Sequence, residues 1–190
     1  SAPEAHDRIR IAQGAARLIA EHGISDWSLA KRKAARALML PERTALPGDD
    51  EVEAALTEHH AIFGGEEHEV TLRAQREEAL RWMRRLAAFR PRLVGGVAEG
   101  WATEHSDIRL ELVADDTKMV ELELINAGLD YRPLPERVPG VGELHLDTAA
   151  APVRLVIRSE AASRQLPRRD RRRHSEVRLD ADALSRLLAG

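Results

Sequence analysis

The chain has 190 residues, 43% of them apolar, which supports one domain or one domain plus a helical extension and excludes global disorder. It has no cysteine, so disulfides, thiolate zinc sites and thiol nucleophiles are excluded. The formal net charge is −3, and apart from Lys31, Lys33 and Lys118 every formally cationic side chain is arginine.

The order of elements follows from hydrophobic period and capping residues. Ile11, Ala12, Ala15, Leu18, Ile19 and His22 mark an amphipathic helix over 7–22, closed by Gly23. Ser25 or Asp26 caps a second helix through Leu38, with Trp27, Ala30, Ala34, Ala37 and Leu38 inward. After the proline-bearing loop 40–48, Asp50 and Glu53 suit a capping box for a third helix ending near Phe63. Gly64-Gly65 breaks that helix, and a fourth spans roughly 66–89. Val70, Ala74, Leu80, Met83 and Leu86 are its core candidates; Arg73, Arg76, Arg81, Arg84 and Arg85 form its outer side. The pattern then changes. Residues 92–97 and 108–113 read as strands, and Asp115 or Asp116 caps a helix over 117–127 that Gly128 ends. Residues 143–147 and 153–158 alternate as strands, 164–174 form a basic loop, and Asp180 caps a final helix carrying Leu184, Leu187 and Leu188. The expected architecture is α+β: a helical N-terminal region over 1–66, then a mixed β-sheet flanked by helices over 67–190. No apolar run reaches the ~20 residues of a membrane span. The opening SAPEAHDR lacks a signal pattern, which predicts a cytoplasmic protein with no membrane partner.

Residues 94–113 carry the most chemistry. Val94-Gly95-Gly96 closes one strand, ten residues follow, and Asp107-Ile108-Arg109-Leu110-Glu111 opens the next. Glycines let a backbone approach phosphate oxygens and offer them amide donors. Carboxylates two apart on a strand share a face at roughly 6–7 Å, a spacing that holds magnesium.

This pattern, with the element order around it, resembles the minimal nucleotidyltransferases of the DNA polymerase β superfamily. Their signature is an apolar residue, Gly, then Gly or Ser, a spacer of similar length, and an acid–apolar–acid–apolar strand. The resemblance implies a nucleotidyltransferase-like fold that transfers a nucleoside monophosphate from a nucleoside triphosphate to an acceptor with Mg2+. It implies that Gly95, Gly96, Ser106 and Arg109 hold the nucleotide, that Asp107 and Glu111 are catalytic, and that Asp107 and Glu143 ligate the metal. One departure bears on activity: Arg109 stands where the signature has its second acid. Glu111 is four residues from Asp107, roughly 13 Å along an extended strand, which is too far to share an ion. The alternative is a catalytically degenerate member that binds nucleotide, nucleic acid or a protein partner through Arg109, Arg154 and the run at 168–173. In that run Arg168, Arg169, Arg171, Arg172 and Arg173 are candidate nucleic-acid contacts.

Other constellations are weaker. The first two helices resemble the opening of a TetR-type repressor, with Lys31, Arg32, Lys33 and Arg36 as a basic cluster, but no base-reading helix follows, and a solvated basic face is the simpler reading. His59, His60 and His68 lie among glutamates, yet adjacent histidines diverge by about 100° on a helix and do not share a metal. His105, beside Ser106 and Asp107, is a candidate phosphate contact.

Overall fold

The computed structural model describes residues 1–24, 26–165 and 177–190, and the chain divides into two units. The first holds Ser1–Thr71 with Thr103–His105; the second holds Leu72–Ala102 with, among the described residues, 106–165 and 177–190. The expected boundary at 66/67 therefore falls five residues later, inside a continuous helix, and a short piece after Ala102 returns to the first unit.

The first unit is built from α1 (Ala2–His22), α2 (Trp27–Ala37) and α3 (Asp49–His59). Ile11, Ala12, Ala15, Ala16 and Ile19 of α1 bury one stripe, as their spacing predicts. Asp26 caps α2 by accepting from the Leu29 amide at 3.1 Å. The inward face of α2 is Ala30, Lys31, Ala34 and Ala35, so Ala37 is exposed and Trp27 and Leu38 are only half-buried. Lys31, expected in a solvent-facing basic cluster, is buried, and its ammonium donates to Asp49 at 2.7 Å. The cap of α3 lies two residues before the expected one: Glu51 reaches back to the Gly48 amide at 2.7 Å. The glycine pair does not part the next two helices with a loop. One π-helical turn (His60–Gly64) leads directly into α4 (Gly65–Arg85).

The second unit is a five-stranded mixed sheet with helices. Its strands are β1 (Arg92–Val94), β2 (Ile108–Val113), β3 (Arg132–Val138), β4 (Val141–Leu146) and β5 (Val153–Arg158), in spatial order β1-β2-β5-β4-β3. Only β2 and β5 run parallel; the other neighbours are antiparallel. Helices α5 (Gly96–Glu99), α6 (Thr117–Asn126), α7 (Glu160–Arg164) and α8 (Ala181–Ala189) complete it. Alternation assigns Ile108, Leu110, Leu112, Val153, Leu155, Ile157, Leu144 and Leu146 to one buried face. Ala79, Leu80, Trp82 and Met83 of α4 and Leu86 just after it belong to the same cluster, with Val120 and Leu124 of α6 and Leu184 of α8. The core of α4 thus lies in its C-terminal half, and Val70 and Ala74, expected inside, are exposed.

Two elements were not expected. β3 carries Pro133 and Pro135, which argue against a strand, yet it is an edge strand, where a missing N–H is tolerated. Helix α7 is a single turn capped by Ser159. The first strand is shorter than expected, ending at Val94, because Gly95 turns the chain into α5. Among the described residues no helix is long and apolar enough to cross a membrane.

Lys31→Ala leaves Asp49 without that partner and strips an aliphatic stem from the helical unit. The expected loss is about 1–3 kcal/mol, read by urea denaturation. Arg32→Ala and Lys33→Ala, on the exposed side, are expected to stay within about 0.5 kcal/mol of the parent.

Candidate functional site

The second face of the sheet carries the charge. Side chains paired across strands lie on one face, so the register sets its rows. One row reads Val94, Arg109, Arg154, His145, Arg132 across β1, β2, β5, β4 and β3. The next reads Arg92, Glu111, Val156, Glu143, Leu134. Val94 and Val156 are buried at the base of this face, while the charged side chains around them keep partial exposure.

Both candidate glutamates are committed to arginines. The two oxygens of Glu143 accept from Arg154, Nη2 at 2.6 Å and Nε at 2.9 Å, a bidentate fork. His145 Nε2 lies 3.2 Å from the same carboxylate. The Arg154 hydrogen bond is the first cause that holds the Glu143 carboxyl below its usual range, against the opposing effect of burial. Glu111 is shared: Arg178 Nε donates to one oxygen at 2.8 Å and Arg158 Nε to the other at 3.1 Å. Asp107 sits exposed just before β2, next to Ser106. The Arg154 guanidinium is held above its usual pKa, first by Glu143 and in smaller part by the charge of Asp107. Arg109 stands beside Arg154 in the register.

The glycine pair has two separate roles. Gly95 has φ 75° and ψ −157°, a region open essentially to glycine alone, and the space beyond its absent Cβ is empty. Gly96 is buried, and a Cβ there would fall 2.7 Å from Cζ3 of Trp101. The second glycine therefore makes room for an indole, which Glu99 orients by accepting from its Nε1 at 3.1 Å. Arg76, expected on the outer side of α4, is turned inward. Its Nε and Nη2 donate to the carbonyls of Val97 and Ala98 at 2.9 and 3.1 Å, and burial lowers its pKa. It holds the α5 turn in place.

These donors do not fit the magnesium that the resemblance implies. A carboxylate with both oxygens in arginine hydrogen bonds presents no free pair of oxygens to a hard cation. Among the described residues no group of three or more His, Asp or Glu side chains is placed to hold a metal ion, so Asp107 and Glu143 gain no third donor. His105 belongs to the helical unit, where its ring lies over Gly23. His60 and His68 stack with centroids 3.8 Å apart, and His59 packs on Phe63. Arg168, Arg169, Arg171, Arg172 and Arg173 lie outside the described residues. Arg132, His145 and Arg178 were not singled out from the sequence. Strand alternation places Arg154 and Arg158 on one face, but the partners across the sheet depend on register.

No family model, curated protein or solved structure matches the chain.

Gly96→Ala is expected to displace the indole, cost about 1–3 kcal/mol and shift the Trp fluorescence spectrum. Adding Trp101→Ala to it should recover part of that loss in a double-mutant cycle. Gly95→Ala costs a similar amount through backbone strain alone, with no such rescue.

Because the folded Glu143 pKa is depressed, its pairing stabilises the protein above the unfolded carboxyl pKa and is lost as pH falls through the folded one. Thermal unfolding between pH 7 and pH 3 should show Glu143→Gln about 1–2 kcal/mol less stable than the parent at neutral pH. The gap should close in acid.

Proposed function

We propose that this chain is a nucleotidyltransferase-like protein whose polar sheet face binds the phosphates of a nucleotide through arginine. In this reading the acids of the face serve as arginine partners and not as metal donors. One observation carries it: all four carboxylate oxygens of Glu111 and Glu143 accept from Arg154, Arg158 or Arg178. Glu143 fixes the Arg154 guanidinium through Nε and Nη2, and a guanidinium so oriented has further N–H donors that suit two oxygens of a phosphate. Arg109 adds a second cation in the same row, at the position where an intact transferase would carry an acid. The Gly95 turn supports the reading in part, since the space beside it is open. Gly96 supports it less, because Trp101 covers it.

Transfer of a nucleoside monophosphate is the second reading. It rests on Asp107, which is exposed at the mouth of β2, and it needs a cation recruited there together with the substrate.

Calorimetric titration of nucleoside triphosphates, with and without magnesium, separates the two. Arginine-based binding predicts similar affinity in both conditions, affinity unchanged or raised in Asp107→Ala, and at least a tenfold loss in Arg109→Gln, about 1.4 kcal/mol. Binding that requires magnesium and disappears in Asp107→Ala would instead establish a working metal site. Absence of any binding would end the nucleotide reading.

A further inference from the structure

Helix α6 is apolar on both sides. Val120 and Leu124 are buried in the core of the second unit. Met119, Leu122 and Ile125 lie away from that core and are 53%, 57% and 57% exposed. Steps of three residues align these three in one stripe along the helix. A helix on the outside of a domain carries a polar outer face, and a helix apolar all round is a covered one. The stripe therefore marks an interaction surface.

The residues that flank the stripe say what covers it. With Met119 and Leu122 at the a and d positions of a heptad, Lys118 takes g, Glu123 takes e and Asn126 takes the next a. Lys118 and Glu123 are exposed, and neither side chain makes a hydrogen bond or ion pair with any described residue. Five positions apart, they stand on opposite flanks of the stripe and do not meet within one helix. In two helices packed side by side in parallel, each g residue faces the e residue five positions on in its neighbour. Lys118 of one copy then meets Glu123 of the other, and two-fold symmetry makes that contact twice. Met119 and Leu122 pack on their own images, and Asn126 meets its own image, a polar a-position pair of the kind that fixes register. An antiparallel pairing loses the complementarity, because it brings Lys118 towards Ile125 and Glu123 towards the capping acid Asp116.

We infer that the outer face of α6 is a self-association surface, on which a second copy of this chain packs its own α6 in parallel. The stripe is about two turns long, so the contact buries less than the roughly 1,200 Å² of a standard interface and the association is weak and reversible. The inference is independent of the phosphate-binding reading.

The test is sedimentation velocity of the full chain over a concentration series into the high micromolar range. The expected result is a reversible shift from monomer to dimer. Leu122→Asp, at an exposed position, should keep the fold by circular dichroism and abolish the dimer. Lys118→Glu and Glu123→Lys should each weaken dimerisation about tenfold, since each turns both attractive pairs into repulsive ones. An equal mixture of those two variants should dimerise as well as the parent, because the mixed dimer regains both pairs with the charges reversed. A chain that stays monomeric throughout would overturn the inference and leave the stripe to a different protein. A dimer that ignores Leu122→Asp would place the contact elsewhere and overturn it too. A mixture no tighter than the single variants would overturn the parallel pairing on which it rests.

Discussion

The polar face of the sheet depends on the pairing of arginine with carboxylate across neighbouring strands. Parallel pairing of β2 with β5 sets Arg109 beside Arg154, and antiparallel pairing of β5 with β4 sets Arg154 beside His145. Without counter-charges that arrangement would repel itself. Glu143 supplies the counter-charge from the next row through a two-point fork, and Glu111 does the same for Arg158 and Arg178. The half-burial of these groups makes each hydrogen bond stronger than an exposed ion pair and makes an orphaned partner costly. The acids are therefore structural requirements of the face before they are anything else.

That commitment of the acids changes the meaning of the glycine-acid motif. In the nucleotidyltransferase pattern the strand after the glycine turn brings carboxylates to a metal. Here the same strand brings one exposed acid, one arginine and one acid already shared by two arginines. The turn itself is closely fixed: Gly95 takes a backbone conformation that other residues resist, and Arg76 fastens the α5 carbonyls.

Much of this was legible in the sequence where local chemistry decides. The bounds of β2, the cap Asp180, and the stops at Gly23 and Gly128 all follow from local residues whose preference no neighbour overrides, while the sequence left the cap of α6 open between Asp115 and Asp116, the one observed. Legibility failed where tertiary context decides. Lys31 reads as a surface cation until Asp49 is brought against it, eighteen positions away. Val70 and Ala74 fit the period of α4 but fall outside the half that meets the sheet. β3 is hidden by its prolines, which are acceptable only because the strand lies at an edge. The candidate site shows the same division. Asp107, Arg109 and Arg154 stand out by strand alternation, whereas His145, Arg132 and Arg178 enter only through register and contacts, which one sequence does not encode visibly.

The central claim is that phosphate meets arginine on this face without a metal between them. Its most direct test is to follow the Nε–Hε resonances of the arginines by heteronuclear NMR while a nucleoside triphosphate is added in the presence of a chelator. The account predicts saturable shifts of the Arg109 and Arg154 signals under those conditions. Signals that stay still until magnesium is restored, and then move only with Asp107 intact, would contradict it.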